Sequence, residues 1–246
     1  MQDDRHDRSE AGARPGQPPA DPAIHDARAG ARAETPAPGF RLITLESPAF
    51  REASWRPGQK VQIAMGSAFV ARTYSPIEWD AVAGRTRLLV CCHGGGPGSA
   101  WARQVTPGDE CDVFGPRASL DPGRVQGRCV LLGDETSLGL AYAISRHFAA
   151  DAPHCLLEVA ALGEARAVSR RLGLEAVELF ERCGDDGQLD AIARRLPVLA
   201  GADRGYILTG RAPSIQRLRR TLAAQGVPGA RIMAKAYWAP GKRGLD

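Results

Sequence analysis

The sequence predicts a β + α/β protein, with an N-terminal antiparallel β-barrel followed by a parallel-sheet α/β domain. In the first half, short apolar stretches are separated by turn residues, without helical periodicity between them. In the second half, apolar strands alternate with amphipathic helices. We place the boundary near residues 121–127, where Asp-Pro-Gly and a further glycine occur. Residues 23–123 would then form the barrel, and residues 124–246 the α/β domain.

The first 22 residues contain almost no large apolar side chain, which predicts a disordered N-terminal tail. A weak strand follows at residues 27–34, and we expect Thr35-Pro36 to end it. The remaining strands of the barrel are predicted at residues 40–45, 59–65, 69–74, 87–93 and 110–114. In the strand at 59–65, Val61, Ile63 and Met65 would share one face.

The second half alternates strongly between strand and helix patterns. Strands are predicted at residues 128–132, 155–161, 176–180, 205–209 and 231–238. Helices are predicted at residues 135–149, 165–172, 189–199 and 213–225. Parallel sheets of this kind bind nucleotides at the carboxyl ends of their strands. The α/β domain is therefore expected to bind a nucleotide.

Composition and charge exclude several classes of function. No apolar run approaches the roughly 18 residues needed to cross a bilayer. The N-terminus is acidic where a signal peptide would be basic and then apolar, so we expect a cytoplasmic protein without membrane insertion. The net charge of +4 is too small to predict a nucleic-acid partner, but it suits an anionic ligand.

The cysteines show no metal or disulfide pattern. None forms a C-x-x-C pair, and no histidine cluster lies near them at zinc spacing. We expect reduced thiols that pack as small buried hydrophobes, and no metal site. They are Cys91, Cys92, Cys111, Cys129, Cys155 and Cys183.

The first candidate site is the segment Arg72-Thr73-Tyr74-Ser75-Pro76 at a predicted strand end. Arg72 can pair with a pyrophosphate, because a guanidinium matches phosphate oxygens in a fork. Tyr74 lies on the same strand face and can pack on an isoalloxazine ring. Ser75 can donate a hydrogen bond near the reactive nitrogen of a flavin. The segment alone is equally compatible with an exposed arginine beside a core tyrosine.

The second candidate site is the glycine-rich run from His93 to Ala102. Glycines let backbone N–H groups approach phosphate, and a helix expected from about Ser99 adds a partial positive charge. Ser99 can cap this helix or bind a phosphate. The run is not a P-loop, since it lacks Gly-Lys-Ser/Thr. A flexible loop, with a structural His93 and a packed Trp101, is the alternative.

The third candidate site is Gly133-Asp134-Glu135-Thr136-Ser137, directly after a buried strand and before a helix. Parallel sheets present backbone donors to a dinucleotide at this position. The segment lacks the G-x-G-x-x-G fingerprint. Asp134 or Thr136 can also cap the helix, and capping does not exclude a role in cofactor binding.

Together these segments resemble the siderophore-interacting protein family of flavin-containing ferric-siderophore reductases, within the ferredoxin–NADP reductase-like superfamily. The motifs carrying the resemblance are R-T-Y-S-P, H-G-G-G-P-G-S-A-W-A, P-G-D, G-P, G-D-E-T-S and A-Y-W-x-P-G, in this order between residues 26 and 242. Ser75 stands where many members carry threonine. The chain ends soon after Trp238, which leaves the preferred electron donor open.

The resemblance implies FAD as the cofactor, with NADPH, NADH or a reduced ferredoxin as electron donor. Because the cofactor carries the redox chemistry, we expect no catalytic acid–base pair or nucleophile. The resemblance and the local patterns place the following residues at the cofactor: Arg72, Thr73, Tyr74, Ser75, His93, Gly96, Gly98, Ser99, Trp101, Asp134, Glu135, Thr136, Ser137, Tyr237 and Trp238.

The expected substrate is a ferric siderophore, whose iron is released on reduction to Fe(II). Ferric catecholates are anionic, so a basic rim would help to capture them. The candidates are Arg117, Lys235, Lys242 and Arg243, although ordinary solvated charge is an alternative for each. A 2′-phosphate of NADPH could meet Arg166, Arg170, Arg171 or Arg182.

Two other functions remain open from the sequence. One is a flavin reductase of the same fold that passes electrons to a protein such as ferredoxin or flavodoxin. The other is a non-enzymatic protein that binds a flavin or a siderophore.

Overall fold

The computed structural model describes residues 24–65, 70–92, 94–125, 127–199 and 204–242. The predicted tail at residues 1–22 lies outside the described residues, as do His93 and Arg243. Two sheets organise the described part of the chain, one antiparallel and one parallel. The predicted fold class is therefore confirmed.

The antiparallel sheet has seven strands in the order β4-β3-β7-β1-β2-β6-β5. These strands are β1 (Ile24–Ala37), β2 (Phe40–Glu46), β3 (Lys60–Ala64), β4 (Ala71–Tyr74), β5 (Pro76–Asp80), β6 (Arg85–Cys91) and β7 (Glu110–Arg117). Helix α1 (Pro97–Gln104) connects β6 to β7.

The two edge strands of this sheet, β4 and β5, are joined in the chain by Ser75 alone. In a flat sheet the edges of seven strands would lie roughly 29 Å apart, at about 4.8 Å per strand. One residue spans at most about 3.6 Å. The sheet must therefore curl until its edges meet at Ser75, although no ladder joins β4 to β5 within the described strands. This curled sheet is the predicted barrel.

Alternation of side chains fills the interior of the barrel. Val61 and Ile63 on β3 are fully buried, whereas their neighbours on the strand are only partly buried. Met65 packs against the same core, together with Tyr74 and Trp101. The predicted inward face of β3 is confirmed.

Two features of the barrel differ from the sequence prediction. Strand β1 does not end at Thr35-Pro36; a register shift between Glu34 and Ala37 accommodates the proline, and β1 runs on to Ala37. Strand β5 was not predicted, because Pro-Ile-Glu-Trp-Asp is short and carries two acids. Its proline stands at the first position of an edge strand, where a missing N–H donor is tolerated.

The parallel sheet has five strands in the order β10-β9-β8-β11-β12, as the alternating pattern predicted. Its strands are β8 (Cys129–Asp134), β9 (His154–Val159), β10 (Val177–Glu181), β11 (Gly205–Arg211) and β12 (Ile232–Trp238). The helices are α2 (Leu138–His147), α3 (Leu162–Arg171), α4 (Gly187–Leu199) and α5 (Ala212–Ala224). The predicted boundary at residues 121–127 lies between β7 and β8 and stays a prediction.

Helix α2 packs the second sheet against the barrel. A Cβ atom at Gly139 would lie 2.9 Å from Ile77 Cγ2 of β5, so glycine allows this close approach. A second link joins the Gly39 N–H to Glu164 Oε2 at 2.7 Å. These contacts fix the cleft between the two sheets. No helix among the described residues is long and apolar enough to cross a membrane.

The cysteines are unpaired thiols. Cys92, Cys111 and Cys155 are buried, as expected. Cys183 is exposed, contrary to the expectation, because it lies in the loop after β10 rather than in a strand. No group of His, Cys, Asp or Glu among the described residues is arranged to hold a metal ion.

Candidate functional site

A cleft of about 1080 Å³ lies between the barrel and the carboxyl ends of the parallel strands. It brings together residues from all three predicted segments and from the end of β12. The predicted cofactor residues that line it are Arg72, Thr73, Tyr74, Ser75, Gly96, Glu135, Thr136, Tyr237 and Trp238. Gly98, Ser99, Trp101, Asp134 and Ser137 are not part of the lining.

The seam of the barrel, where the edge strands β4 and β5 meet at Ser75, supplies one wall of the cleft. The Tyr74 hydroxyl is buried and has no hydrogen-bond partner among the described residues. The ring of Tyr74 packs on Trp101, with ring centroids 5.6 Å apart. Burial raises the pKa of the Tyr74 phenol. Among the described residues, Arg72 hydrogen-bonds to the carbonyl of its own neighbour, with Nη1 donating to Ala71 O at 2.7 Å.

The glycine-rich run forms the adjoining edge of the cleft. Helix α1 begins at Pro97, two residues before the predicted start, with Gly96 as its N-cap. Gly94, Gly95 and Gly96 line the cleft, and a Cβ atom on any of them would meet nothing within 4 Å. The backbone of this edge is therefore open to a ligand.

Gly98 lies behind this edge, in direct contact with Tyr74. A Cβ atom at this position would lie 2.6 Å from Tyr74 Oη and 3.3 Å from Arg72 Cγ. Glycine at 98 thus lets α1 pack on the strand that carries both side chains.

The Gly133–Ser137 turn is held by its own side chains. Asp134 caps the turn, because its Oδ1 accepts a hydrogen bond from the Thr136 N–H at 2.9 Å. In return, the Ser137 hydroxyl oxygen accepts a hydrogen bond from the Asp134 N–H. Asp134 therefore caps the 3₁₀ turn Glu135–Ser137 that leads into α2, rather than α2 itself, whose N-cap residue is Ser137. Ser137 also accepts a hydrogen bond from Thr209 Oγ1 at 2.8 Å.

Asp134 is fully buried at the end of β8. Burial, together with the nearby charge of Glu135, raises its pKa to about 6. Hydrogen bonds from Thr136 and Trp238 act in the opposite direction. Gly210 has a φ of +97°, and a Cβ atom there would lie 2.5 Å from Asp134 Oδ1. Only glycine leaves room for the carboxyl group.

Arg182 follows β10 and joins two buried carboxylates. Its Nη1 and Nη2 donate to Glu135 at 3.3 and 2.8 Å, and its Nε lies 3.5 Å from Glu158 Oε2. Glu158 also accepts hydrogen bonds from Gln188 Nε2, at 2.7 Å, and from the Ser214 hydroxyl. The sequence identified Arg182 only as a phosphate candidate and did not identify Glu158. The separation of Arg182 and Glu158 along the sequence gives no indication that the two side chains pair.

The two aromatic residues that end β12 complete the cleft. Trp238 Nε1 donates to Asp134 Oδ2 at 2.7 Å, and the Arg182 guanidinium carbon lies 5.9 Å from the Trp238 ring centroid. The Tyr237 hydroxyl is buried, and burial raises its pKa. The hydroxyls of Ser75 and Thr209 lie close enough to affect that pKa, but neither completes a hydrogen bond of ordinary geometry.

Three lysines give the cleft a positive rim. Lys235 and Lys242, two of the predicted substrate residues, line it, and Lys60 lines it without having been predicted. Arg117 pairs with Lys60 in the β3–β7 ladder but is exposed and does not line the cleft. Arg117 is the last residue of β7 and is exposed to solvent, which the sequence pattern alone could not indicate. The position of Lys60 at the cleft depends on the pairing of β3 with β7, so the residues around it in the sequence could not indicate it.

The residues present fit a flavin dinucleotide. The cleft, at about 1080 Å³, is slightly larger than the roughly 300–1000 Å³ usual for small-molecule sites. The buried Tyr74 hydroxyl has no hydrogen-bond partner among the described residues, and free space lies beside the glycine backbone at residues 94–96. Arg72 adds a guanidinium beside them, which suits a pyrophosphate.

Comparisons with known proteins agree with this geometry. The family model of the siderophore-interacting FAD-binding domain matches residues 59–120, which include β3 to β7 and the first two candidate segments. No curated protein sequence matches the chain.

Solved structures share the fold across both sheets. A siderophore utilization protein from T. fusca is 23% identical, with a TM-score of 0.74 over 92% of this chain and 97% of its own. The siderophore-interacting protein SipS from Aeromonas hydrophila is 23% identical, with a TM-score of 0.72 over 89% and 93%. The Amycolatopsis cytochrome P450 reductase GcoB is 17% identical, with a TM-score of 0.66 over 90% and 72%.

The family match covers the barrel side of the cleft, and the shared fold covers both sheets. Over residues 59–120 the chain is therefore similar to the siderophore-interacting FAD-binding domain, and across both sheets it shares the fold of these solved structures, so the resemblance predicted from its motifs is confirmed.

Proposed function

We propose that the chain is a cytoplasmic flavin-dependent reductase that passes electrons from NADPH, NADH or a reduced ferredoxin, through FAD, to a ferric siderophore and releases Fe(II). One observation carries the proposal. The Arg72–Ser75 seam of an FAD-binding domain faces the carboxyl ends of a parallel sheet across a single cleft. Such strand ends are where parallel sheets bind nucleotides.

On the barrel side, one group of residues would bind the pyrophosphate of FAD and another would bind its ring system. Arg72 and the open backbone at Gly94–Gly96 would hold the pyrophosphate, because both offer donors to anionic oxygens. Tyr74 would pack on the ring system, and Ser75 would donate to it. When bound, FAD supplies the redox chemistry, taking up a hydride and releasing electrons singly.

On the other side, Thr136, Tyr237 and Trp238 would shape the space for the nicotinamide of the donor. Arg182 is already paired with two buried carboxylates, so it is a poor candidate for the 2′-phosphate of NADPH. Arg171 is paired with Glu34 at 3.2 Å. Because both arginines are already paired, neither Arg171 nor Arg182 selects NADPH over NADH.

The lysine rim, formed by Lys60, Lys235 and Lys242, would attract the ferric chelate. Ferric catecholates are anionic, and clustered positive charge raises the local concentration and the association rate of anions. Reduction to Fe(II) weakens the binding of iron to hard oxygen ligands, so the metal leaves. The siderophore-related names of two structural neighbours support this choice of substrate.

The test is an anaerobic titration of the FAD-loaded protein with NADH and with NADPH, followed by a ferric siderophore and a ferrous-specific chelator. Bleaching of the flavin band by a donor, followed by reoxidation with formation of the ferrous complex, is the expected result. Flavin that is reduced yet never reoxidised by any ferric chelate would overturn the substrate assignment. Protein that binds no FAD would overturn the whole proposal.

A reductase that serves a protein electron carrier is the second candidate. It is favoured by the fold shared with GcoB and with a ferredoxin reductase of carbazole 1,9a-dioxygenase, which is 18% identical with a TM-score of 0.68. Rapid reduction of ferredoxin or flavodoxin, without ferrous release from chelates, would support it. Flavin binding with no reduction by any donor would instead indicate a non-enzymatic binding protein.

A further inference from the structure

The indole of Trp238 is held from two directions at the wall of the cleft. Its only hydrogen-bond donor, Nε1, is directed to Asp134 Oδ2 at 2.7 Å. The Arg182 guanidinium lies at 5.9 Å from the ring centroid, within the range of a cation–π contact. A bond at the edge and a cation at the face together define both the position and the plane of the ring.

The two groups that hold Trp238 are themselves immobilised. Asp134 is fully buried, caps the turn through Thr136, and is confined by Gly210. Arg182 is fixed by a two-nitrogen pair with Glu135 and by the nearby charge of Glu158, both of which are buried. Buried charge pairs with several hydrogen bonds are costly to break, so the arrangement is rigid.

We propose that Asp134, Glu135 and Arg182 are positioning residues for Trp238. They fix its indole as the wall against which a flavin or a nicotinamide ring packs. We call the contacts of Asp134 and Arg182 with Trp238 the Trp238 clamp. The identity of the packed rings rests on the proposed function, whereas the clamp rests only on the hydrogen bond from Trp238 to Asp134 and the cation–π contact with Arg182. The proposal gives Asp134 and Arg182 an indirect role: neither binds phosphate, and both act through Trp238.

The clamp can be tested without any flavin, by NMR of protein labelled with ¹⁵N-tryptophan. The chain has four tryptophans, so four indole N–H signals are expected, and Trp238→Phe identifies the one that belongs to Trp238. In Asp134→Ala we expect this signal to shift and its exchange with solvent to speed up about tenfold or more, since a hydrogen bond to a carboxylate is lost. Asp134→Asn keeps an acceptor oxygen and should largely retain the signal.

Arg182→Ala tests the face contact separately, because it leaves Asp134 in place. With FAD bound, we expect this variant to change the flavin fluorescence, since an indole in ring contact quenches it. For both NADH and NADPH, kcat/KM should fall by a similar factor, up to about 100-fold. The matched control is Arg195→Ala, which removes an arginine paired with Glu178 on the same sheet and should change neither readout.

The outcomes separate this proposal from the proposed function. An unshifted Trp238 signal in Asp134→Ala would overturn the clamp even if FAD binds and turns over. A shifted signal in protein that binds no flavin would support the clamp while the proposed function fails. A selective loss with NADPH in Arg182→Ala would make Arg182 a phosphate ligand and overturn its positioning role. If Asp134→Ala does not fold, Arg182→Ala decides by the same spectrum: a shifted Trp238 signal supports the clamp, because the cation at the ring face is lost, and an unshifted signal overturns it.

Discussion

The Tyr74 hydroxyl lies 2.6 Å from the point that a Cβ atom at Gly98 would occupy. The same hydroxyl is buried and has no hydrogen-bond partner among the described residues. Helix α1 therefore closes directly over the residue proposed to pack on the flavin ring. Because residue 98 has no side chain, the Tyr74 hydroxyl has the space to lie against α1.

Gly98→Ala is expected to weaken FAD binding without unfolding the protein. The added methyl group must displace Tyr74 or α1, while alanine itself favours a helix by about 1 kcal/mol over glycine. Absorbance of FAD retained after gel filtration, together with urea denaturation, measures both effects. Gly163→Ala is the control, because it lies in helix α3 and has nothing within 4 Å of its Cβ position. Equal FAD affinity in the two variants would contradict the prediction.

Arg72→Ala is expected to weaken binding of FAD but not of riboflavin. Loss of a charge-assisted hydrogen bond to phosphate costs about 1.5–3 kcal/mol, which is about 10- to 100-fold in Kd. Riboflavin has no phosphate, so it reports only on the ring pocket. Quenching of flavin fluorescence gives both dissociation constants. Arg28→Ala, in an exposed pair with Glu110, serves as the control. An equal loss for both ligands would instead show that Arg72 supports the ring pocket.

Local patterns were sufficient to predict most of the strands and the four helices of the α/β domain, and to identify the three candidate segments, but they missed strand β5. Val61 and Ile63 alternate inward because a strand has a period of two, and this signal lies within a few residues. The seam at Ser75 could not be predicted, because it depends on the order of seven strands rather than on the residues beside it.

The clamp on Trp238 was equally invisible in the sequence. Asp134 and Trp238 lie 104 residues apart, and Arg182 reaches Trp238 from the loop that follows β10. Their proximity follows from the parallel sheet, because the carboxyl ends of β8, β10 and β12 all lie at the same end of the strands. The sequence proposed Asp134 and Trp238 as cofactor residues and Arg182 as a phosphate candidate, but it could not indicate that Asp134 binds Trp238.

Gly210→Ala is expected to destabilise the parallel sheet strongly. The residue has a φ of +97°, and its Cβ atom would overlap the buried Asp134 carboxyl group. We expect a loss of about 3 kcal/mol or more, since both backbone strain and overpacking contribute. Gly226→Ala is the matched control, with a φ of +79° and nothing within 4 Å. It should lose only about 1 kcal/mol in urea denaturation. Similar losses in the two variants would exclude overlap with Asp134 as a cause.

Asp134 is expected to make the protein less stable as pH rises from about 4 to about 6. Its pKa is about 6 in the folded protein, against an ordinary value of 3.8. Folding therefore takes up a proton in this window, and the free energy of unfolding falls as pH increases through it. At about 1.4 kcal/mol per pH unit, the whole effect is roughly 3 kcal/mol.

Asp134→Asn removes the titrating group and isolates this contribution. Urea denaturation of both proteins at a series of pH values gives the difference between their free energies of unfolding. We expect that difference to shift in favour of the asparagine variant between pH 4 and pH 6, and to be constant above about pH 7. Parallel stability curves over the whole range would mean that Asp134 titrates alike in the folded and unfolded protein. The shift should be accompanied by movement of the Trp238 indole signal in wild-type protein, because the same carboxyl group accepts its hydrogen bond.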